Sequence, residues 1–216
     1  MSLITLKNVK KEYGKNQLLF ENLSLEIEKG EFVGLVGKSG AGKTTLLNII
    51  GLITDISEGT ITIDGHQNLS MNGKNAMILR RYTIGYLFQN YGLIEDESVL
   101  WNLKLALEYK KIKREEKLKL INKYLKQFEL SDMLNKKVYQ LSGGEQQRIA
   151  IIKLILQGSQ IILADEPTSG LDKENELIVM KLLKELNEKV ITIIMVTHNM
   201  NLCDCFSRVI NVENFR

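Results

Sequence analysis

One eight-residue stretch, Gly37-Lys38-Ser39-Gly40-Ala41-Gly42-Lys43-Thr44, constrains this chain more than any other. Its spacing is G-x-x-x-x-G-K-[ST]. The apolar run Phe32–Val36 before it reads as a strand, and Thr45–Ile50 after it reads as a helix. The glycines let the backbone turn successive N–H groups inward around a polyphosphate. The start of the following helix, at Thr44 and Thr45, adds partial positive charge. Lys43 is placed to reach the outer phosphates, and Thr44 to hold Mg²⁺ through its hydroxyl.

Strand, loop and helix together define a P-loop NTPase, without choosing among kinases, GTPases and ATPases. The rest of the chain fits an α/β fold with a mostly parallel sheet. Strands are expected at Leu3–Val9, Leu23–Ile27, Phe32–Val36, Thr60–Ile63, Ile84–Phe88, Ile161–Ala164 and Val190–Val196. Helical stripes recur at Val99, Leu103 and Ala106, at Leu118, Ile121, Leu125 and Phe128, and at Val179, Leu182, Leu183 and Leu186. Such stripes face a core. Residues 1–89 and 158–216 are therefore read as the core with an N-terminal β lobe, and residues 90–157 as an inserted helical subdomain, all in one domain of 216 residues.

A second site is legible at Ile161-Ile162-Leu163-Ala164-Asp165-Glu166, an apolar strand ending in two carboxylates. Ligands of parallel sheets sit at the carboxyl ends of strands. Asp165 is placed to orient Mg²⁺, and Glu166, one residue on, to polarise an attacking water.

Composition narrows the partners. The net charge is only +3, and charged residues make up 25%. The basic run Lys110, Lys111, Lys113, Arg114 is followed at once by Glu115 and Glu116 and reads as a solvated helix start. A nucleic-acid partner is not expected. No run approaches the length of a membrane span, and the first residues lack the pattern of a signal peptide, so a cytoplasmic location is expected. Cys203 and Cys205 suggest no disulfide framework, and His66 is left without a role.

Leu141-Ser142-Gly143-Gly144-Glu145-Gln146-Gln147-Arg148 opens an apolar helix, Ile149–Leu156. Ser142 can cap that helix, and its free N–H groups can face a second phosphate. Here the chain resembles the ABC ATPase family, whose signature is LSGGQ; Glu145 stands where glutamine is commonest. The resemblance covers nearly the whole chain and implies an RecA-like core with an antiparallel β subdomain and a helical insert. It implies that Ser142, Gly143, Gly144 and Glu145 close over ATP held by another copy. It further implies that Tyr13, placed before the first strand pair, stacks on adenine. Gln89 would touch metal and water as the Q-loop glutamine, Ser169-Gly170-Leu171-Asp172 would be the D-loop, and His198 the switch histidine that contacts the γ-phosphate. Catalysis would thus rest on Glu166, His198, Gln89 and Lys43, with Mg²⁺ near Thr44, Gln89 and Asp165.

The segment Phe88-Gln89-Asn90-Tyr91-Gly92-Leu93-Ile94 is similar to the macrolide-export, lipoprotein-release and bacteriocin-export branch. The expectation is an ATP-hydrolysing subunit that pairs head to tail with a second copy. It would drive a separate membrane permease and so lie on the inner face of the membrane. A non-transport ABC ATPase of the cell-division type is the alternative, separable by whether a permease co-purifies. A P-loop kinase would need an acceptor lid in place of Leu141–Glu145.

Overall fold

The computed structural model describes residues 2–14 and 17–215. Alternation of apolar and polar side chains builds the first layer. β1 (Ser2–Tyr13) and β2 (Gln17–Glu28) pair antiparallel, with Ile4 opposite Ile27, Leu6 opposite Leu25 and Val9 opposite Leu23. β3 (Phe32–Val36) leaves this layer, and β4 (Glu58–Ile63) returns to it along the other edge of β1. The inward side chains of the three strands are buried, whereas Thr60 on β4 and Lys7 on β1 face out.

The second layer is a parallel sheet. It joins β3 to β5 (Ile84–Leu87), β6 (Ile161–Asp165), β7 (Thr192–Val196) and β8 (Arg208–Asn211) in the order β5-β6-β7-β3-β8. β3 and β7 are buried along their whole length, the pattern of strands covered on both faces. Period-two alternation divides their side chains between two cores. Val33, Leu35, Ile161, Leu163, Ile194 and Val196 pack with the antiparallel layer. Phe32, Ile162, Ala164, Ile193 and Met195 pack with helices on the opposite face.

Between the two sheets lies α1 (Lys43–Ile50), whose Leu46, Leu47, Ile49 and Ile50 are fully buried. α2 (Lys74–Tyr82) flanks it before β5. α3 (Val99–Ala106), α4 (Arg114–Gln127) and α5 (Gly143–Gln157) come between β5 and β6, and α6 (Lys173–Glu188) between β6 and β7. None of the described helices is long and apolar enough to cross a membrane.

Several expected details shift. β7 starts at Thr192 rather than Val190, because Val190 is exposed and takes a φ of 64° in the turn that ends α6. Tyr13 ends β1 instead of preceding the strand pair. Leu118 is exposed near the start of α4, where Ile121, Leu125 and Phe128 alone of its stripe are buried. α2 and β8 have no counterpart in the expected elements. β8 offers only Val209 and Ile210 between polar residues, and α2 buries only Ala76 and Leu79.

Leu163 sits fully buried in the middle of β6, beneath Gly51 at the end of α1. Leu163→Ala leaves a cavity there and should cost about 3–4 kcal/mol of unfolding free energy, readable as a lower urea midpoint at unchanged slope.

Candidate functional site

The parallel register brings the functional segments level. Val196 on β7 pairs with Leu35 on β3 and with Asp165 on β6. The loop after β3, the Asp165–Glu166 pair and Thr197–His198 therefore leave the sheet side by side.

The loop after β3 turns through positive φ angles at Gly37 (144°), Gly40 (73°) and Gly42 (97°). Gly42 is the N-cap of α1 and offers no side chain to cap it, so the first N–H groups of the helix point into the loop. A Cβ at Gly42 would also lie 2.8 Å from the ring of Phe20. Lys43 is nearly buried, and its ammonium donates to the carbonyls of Gly37 (2.8 Å) and Lys38 (3.0 Å). It thus holds the loop around its own charge, at the centre where an anion could replace the carbonyls. Ala41 N–H closes the turn onto Lys38 O. From the far end of the chain, the Glu213 carboxylate accepts the Lys38 N–H at 3.1 Å.

Thr44 Oγ1 donates to Asp165 Oδ1 at 3.1 Å, joining helix and strand end. Burial pushes the Asp165 carboxyl up, and the Glu166 charge adds to this. The Thr44 hydrogen bond and the Lys43 charge pull it back. Hydroxyl and carboxylate are both hard oxygen donors, the set that suits Mg²⁺. Glu166 follows with a left-handed φ of 46°, and its N–H bonds to Val196 O. Its Oε2 lies 3.0 Å from His198 Nδ1, a contact formed where the His198 side chain is mostly exposed.

A cleft of about 480 Å³ opens over this arrangement. Tyr13, Ser39, Gly40, Gly42, Lys43, Thr44, Thr45, Glu166 and His198 line it, joined by Gln17 and Leu19, which had not been singled out. The Tyr13 ring stands half-exposed at one end, with the Lys11 ammonium 4.7 Å from its centroid and its hydroxyl 3.4 Å from Thr45 Oγ1. Gln89 lies in an exposed turn past β5, outside the lining.

Ser142, Gly143, Gly144 and Glu145 are also outside it and form the start of α5. Ser142 Oγ accepts the Glu145 N–H, and Glu145 Oε2 accepts the Ser142 N–H at 2.7 Å and its hydroxyl at 2.8 Å. This is a capping box, which glutamate and glutamine fill alike. The Ser142 N–H bond is the chief reason the Glu145 carboxyl sits below its usual range. A Cβ on Gly144 would collide with the Asn175 amide. Asn175 also takes a 3.3 Å bond from Arg148 and is bound to Asp172, so it ties the two helix starts together.

A second groove, of about 240 Å³, lies between Tyr86, Phe88 and Tyr91 on one side and Lys153 and Leu154 of α5 on the other. Tyr86 OH donates to Asn48 of α1 at 2.7 Å, and its ring stacks on Phe88 with centroids 4.1 Å apart. Lys153, its ammonium lowered by burial, donates to Gly92 O at 2.7 Å.

A glycine-turned loop on a helix start, a lysine at its centre and a helix threonine bonded to an aspartate at the end of β6, one strand beyond the neighbouring β7, define a P-loop nucleoside triphosphatase. The ABC transporter family model matches residues 20–169. The macrolide export ATP-binding/permease protein MacB of Campylobacter jejuni is 41% identical over 212 residues, which are 98% of this chain and 33% of that protein. An ABC transporter ATP-binding protein of Methanocaldococcus jannaschii, MJ1508, is 40% identical over 215 residues, covering 98% of this chain and 96% of that one. Among solved structures, the dimeric post-hydrolysis state of the ATP-binding cassette MJ0796 bound to ADP and Pi superposes with a TM-score of 0.87. It is 38% identical and covers 96% of this chain and 93% of that one. The chain belongs to the ABC transporter family, as an ATP-binding cassette. It spans about a third of the length of its MacB relatives.

The raised Asp165 carboxyl carries a stability consequence. Its ionised form is disfavoured by the fold, so wild type loses stability as pH rises through that carboxyl's range. Asp165→Asn should therefore raise the melting midpoint of the nucleotide-free chain at neutral pH. In acid below about pH 3, where the carboxyl is protonated folded or unfolded, the advantage should vanish. Thermal melts across that range, without nucleotide, check both statements.

Proposed function

We propose that this cassette powers export as one half of a head-to-tail dimer. The reading is carried by one observation: the chain has a helix start built like an anion site, Ser142–Glu145, that lines no part of its own nucleotide cleft. A second copy can bring it there. Each of the two sites then joins Lys43, Thr44, Gln89, Asp165, Glu166 and His198 of one chain to Ser142, Gly143 and Gly144 of the other. The solved dimers of the cassette MJ0796 support such a pairing.

Within the site, Tyr13 presents its exposed ring face to the adenine. The N–H groups of residues 37–45 surround the phosphates, and Lys43 exchanges its two loop carbonyls for the outer phosphate oxygens. Mg²⁺, held by Thr44 and Asp165 with Gln89 approaching from β5, would neutralise charge on the β- and γ-phosphates. Glu166 orients the attacking water and accepts its proton, and His198 holds Glu166 in place through their 3.0 Å contact. His198 stays exposed enough to meet the γ-phosphate.

ATP joins the two halves, and hydrolysis removes the γ-phosphate that both grip, so the pair opens again. The motion passes through Gln89 and the residues that follow it to a membrane permease, docked beside the groove between Phe88 and Lys153. That MacB of Campylobacter jejuni is an ATP-binding/permease protein supports a permease partner and the export assignment.

Glu166→Gln keeps the shape of the site and loses the proton acceptor. It should bind ATP, slow turnover by at least about a hundredfold, and elute as a dimer with ATP and Mg²⁺. A variant that stays monomeric under those conditions contradicts the shared site. Lys43→Ala should abolish tight ATP binding in equilibrium titration, because neither the loop carbonyls nor the phosphates then have a cation at the centre.

A further inference from the structure

α2 has an outward face unlike that of a solvated helix. Lys74, Met77, Ile78, Arg81 and Tyr82 share one sector at turn spacing, opposite the buried Ala76 and Leu79. An outward face normally carries charges of both signs and few large apolar groups. Here Met77, Ile78 and Tyr82 are exposed beside Lys74 and Arg81, and the helix has no carboxylate; its third cation, Arg80, turns inward to the carbonyls of Leu52 and Met71.

This face does not end with the helix. Tyr82 meets Tyr109 edge-on at 6.3 Å, and the Arg81 guanidinium stands 4.4 Å from the Tyr109 ring centroid. Tyr109, half-exposed, opens the segment Tyr109-Lys110-Lys111-Ile112-Lys113-Arg114, which adds four cations and another exposed apolar side chain. The nearest acids in sequence, Glu108, Glu115 and Glu116, flank that segment, and Glu116 is engaged in capping α4 through the Lys113 N–H. Six cations, Lys74, Arg81, Lys110, Lys111, Lys113 and Arg114, are gathered here without an acid among them, in a chain whose net charge is +3.

We propose that this face docks directly on an anionic phospholipid surface. Tyrosines with apolar bodies and polar tips suit the headgroup layer, as do lysine stems that lie along it with their ammonium groups outward. Clustered Lys and Arg beside them fit negative lipid charge. A protein partner would be gripped by anchors sunk in a pocket. Arg81, Tyr82 and Tyr109 instead stand outside the groove beside Lys153, on the surface next to it. The contact is independent of the permease and would set the height and tilt of the cassette beneath the bilayer.

The full chain is sedimented with vesicles of phosphatidylcholine alone and with vesicles containing phosphatidylglycerol as well. The chain should partition onto the anionic vesicles, leave the neutral ones, and come off as salt rises. Each cation near such a surface changes partition by about fivefold, so K111E/K113E, confined to an exposed loop, should lose at least roughly tenfold. Y82A/Y109A should weaken binding at every salt concentration, and both variants should keep the basal ATPase rate. Equal binding to both vesicle types at low salt overturns the proposal. So does K111E/K113E binding like wild type, or a loss of permease co-purification in detergent with vesicle binding untouched.

Discussion

The site depends on the parallel register at the middle of the large sheet. Val196 pairs with Leu35 on one side and Asp165 on the other, so three strands end at one level. Only then can Thr44, at the first turn of α1, reach Asp165 across the intervening β7 at 3.1 Å. The same register sets Glu166 beside Thr197–His198, where its N–H bonds to Val196 O. A one-residue slip of any of the three strands would turn its buried side chains to the wrong core. The two apolar cores, one on each face, hold the register and hence the chemistry. This is why the polar groups can sit in an otherwise open cleft with few bonds among themselves.

The nucleotide side carries unfavourable terms that the cores must offset. Lys43 is almost buried with two loop carbonyls as its hydrogen-bond partners among the described residues, Asp165 is raised by burial, and Glu166 sits in the left-handed region. Each is costly for the fold by itself, and each is a cost that the triphosphate of the proposed site would offset. The signature end is the opposite case. Ser142 and Glu145 satisfy each other, and Arg148, Asn175 and Asp172 lock α5 to α6. One end of the molecule is held ready for charge, and the other is a rigid surface that can be presented to it.

Much of this was legible in the residues because it lies in contiguous runs. The loop from Gly37 to Thr44, the strand ending at Asp165 and the helix begun by Ser142 are each continuous in sequence, with periodicities that match their structures. What was not legible depends on distant chain segments. Glu213 reaches the loop at Lys38 from the C-terminal end, and nothing in its neighbourhood marks it. Gln17 and Leu19 enter the cleft because β2 crosses beside it, and no local pattern in β2 points there. β8 is a strand because β3 offers it an edge, and only Val209 and Ile210 of its residues would suggest one. Val190 misled because an apolar residue next to a strand looks like the strand itself, whereas its φ of 64° belongs to the preceding turn.

Between the two ends runs a continuous set of contacts that uses no nucleotide. Asn48, on the helix that starts at the phosphate loop, accepts from Tyr86. Tyr86 stacks on Phe88, and Phe88 packs against Gly92 closely enough that a Cβ there would lie 2.6 Å from the ring. Gly92, with its positive φ, turns its carbonyl to the Lys153 ammonium on the signature helix. Burial lowers the pKa of that ammonium, so its charge is already disfavoured and the Gly92 bond would be costly to lose. These contacts join α1 to α5 in one continuous line. The chain of contacts does pass along the segment that bears Gln89, which places that glutamine on a stretch of backbone tied to both α1 and α5. Its exposed position away from the cleft then has a physical reading: Gln89 is carried by a loop whose place is set jointly by the phosphate helix and the signature helix.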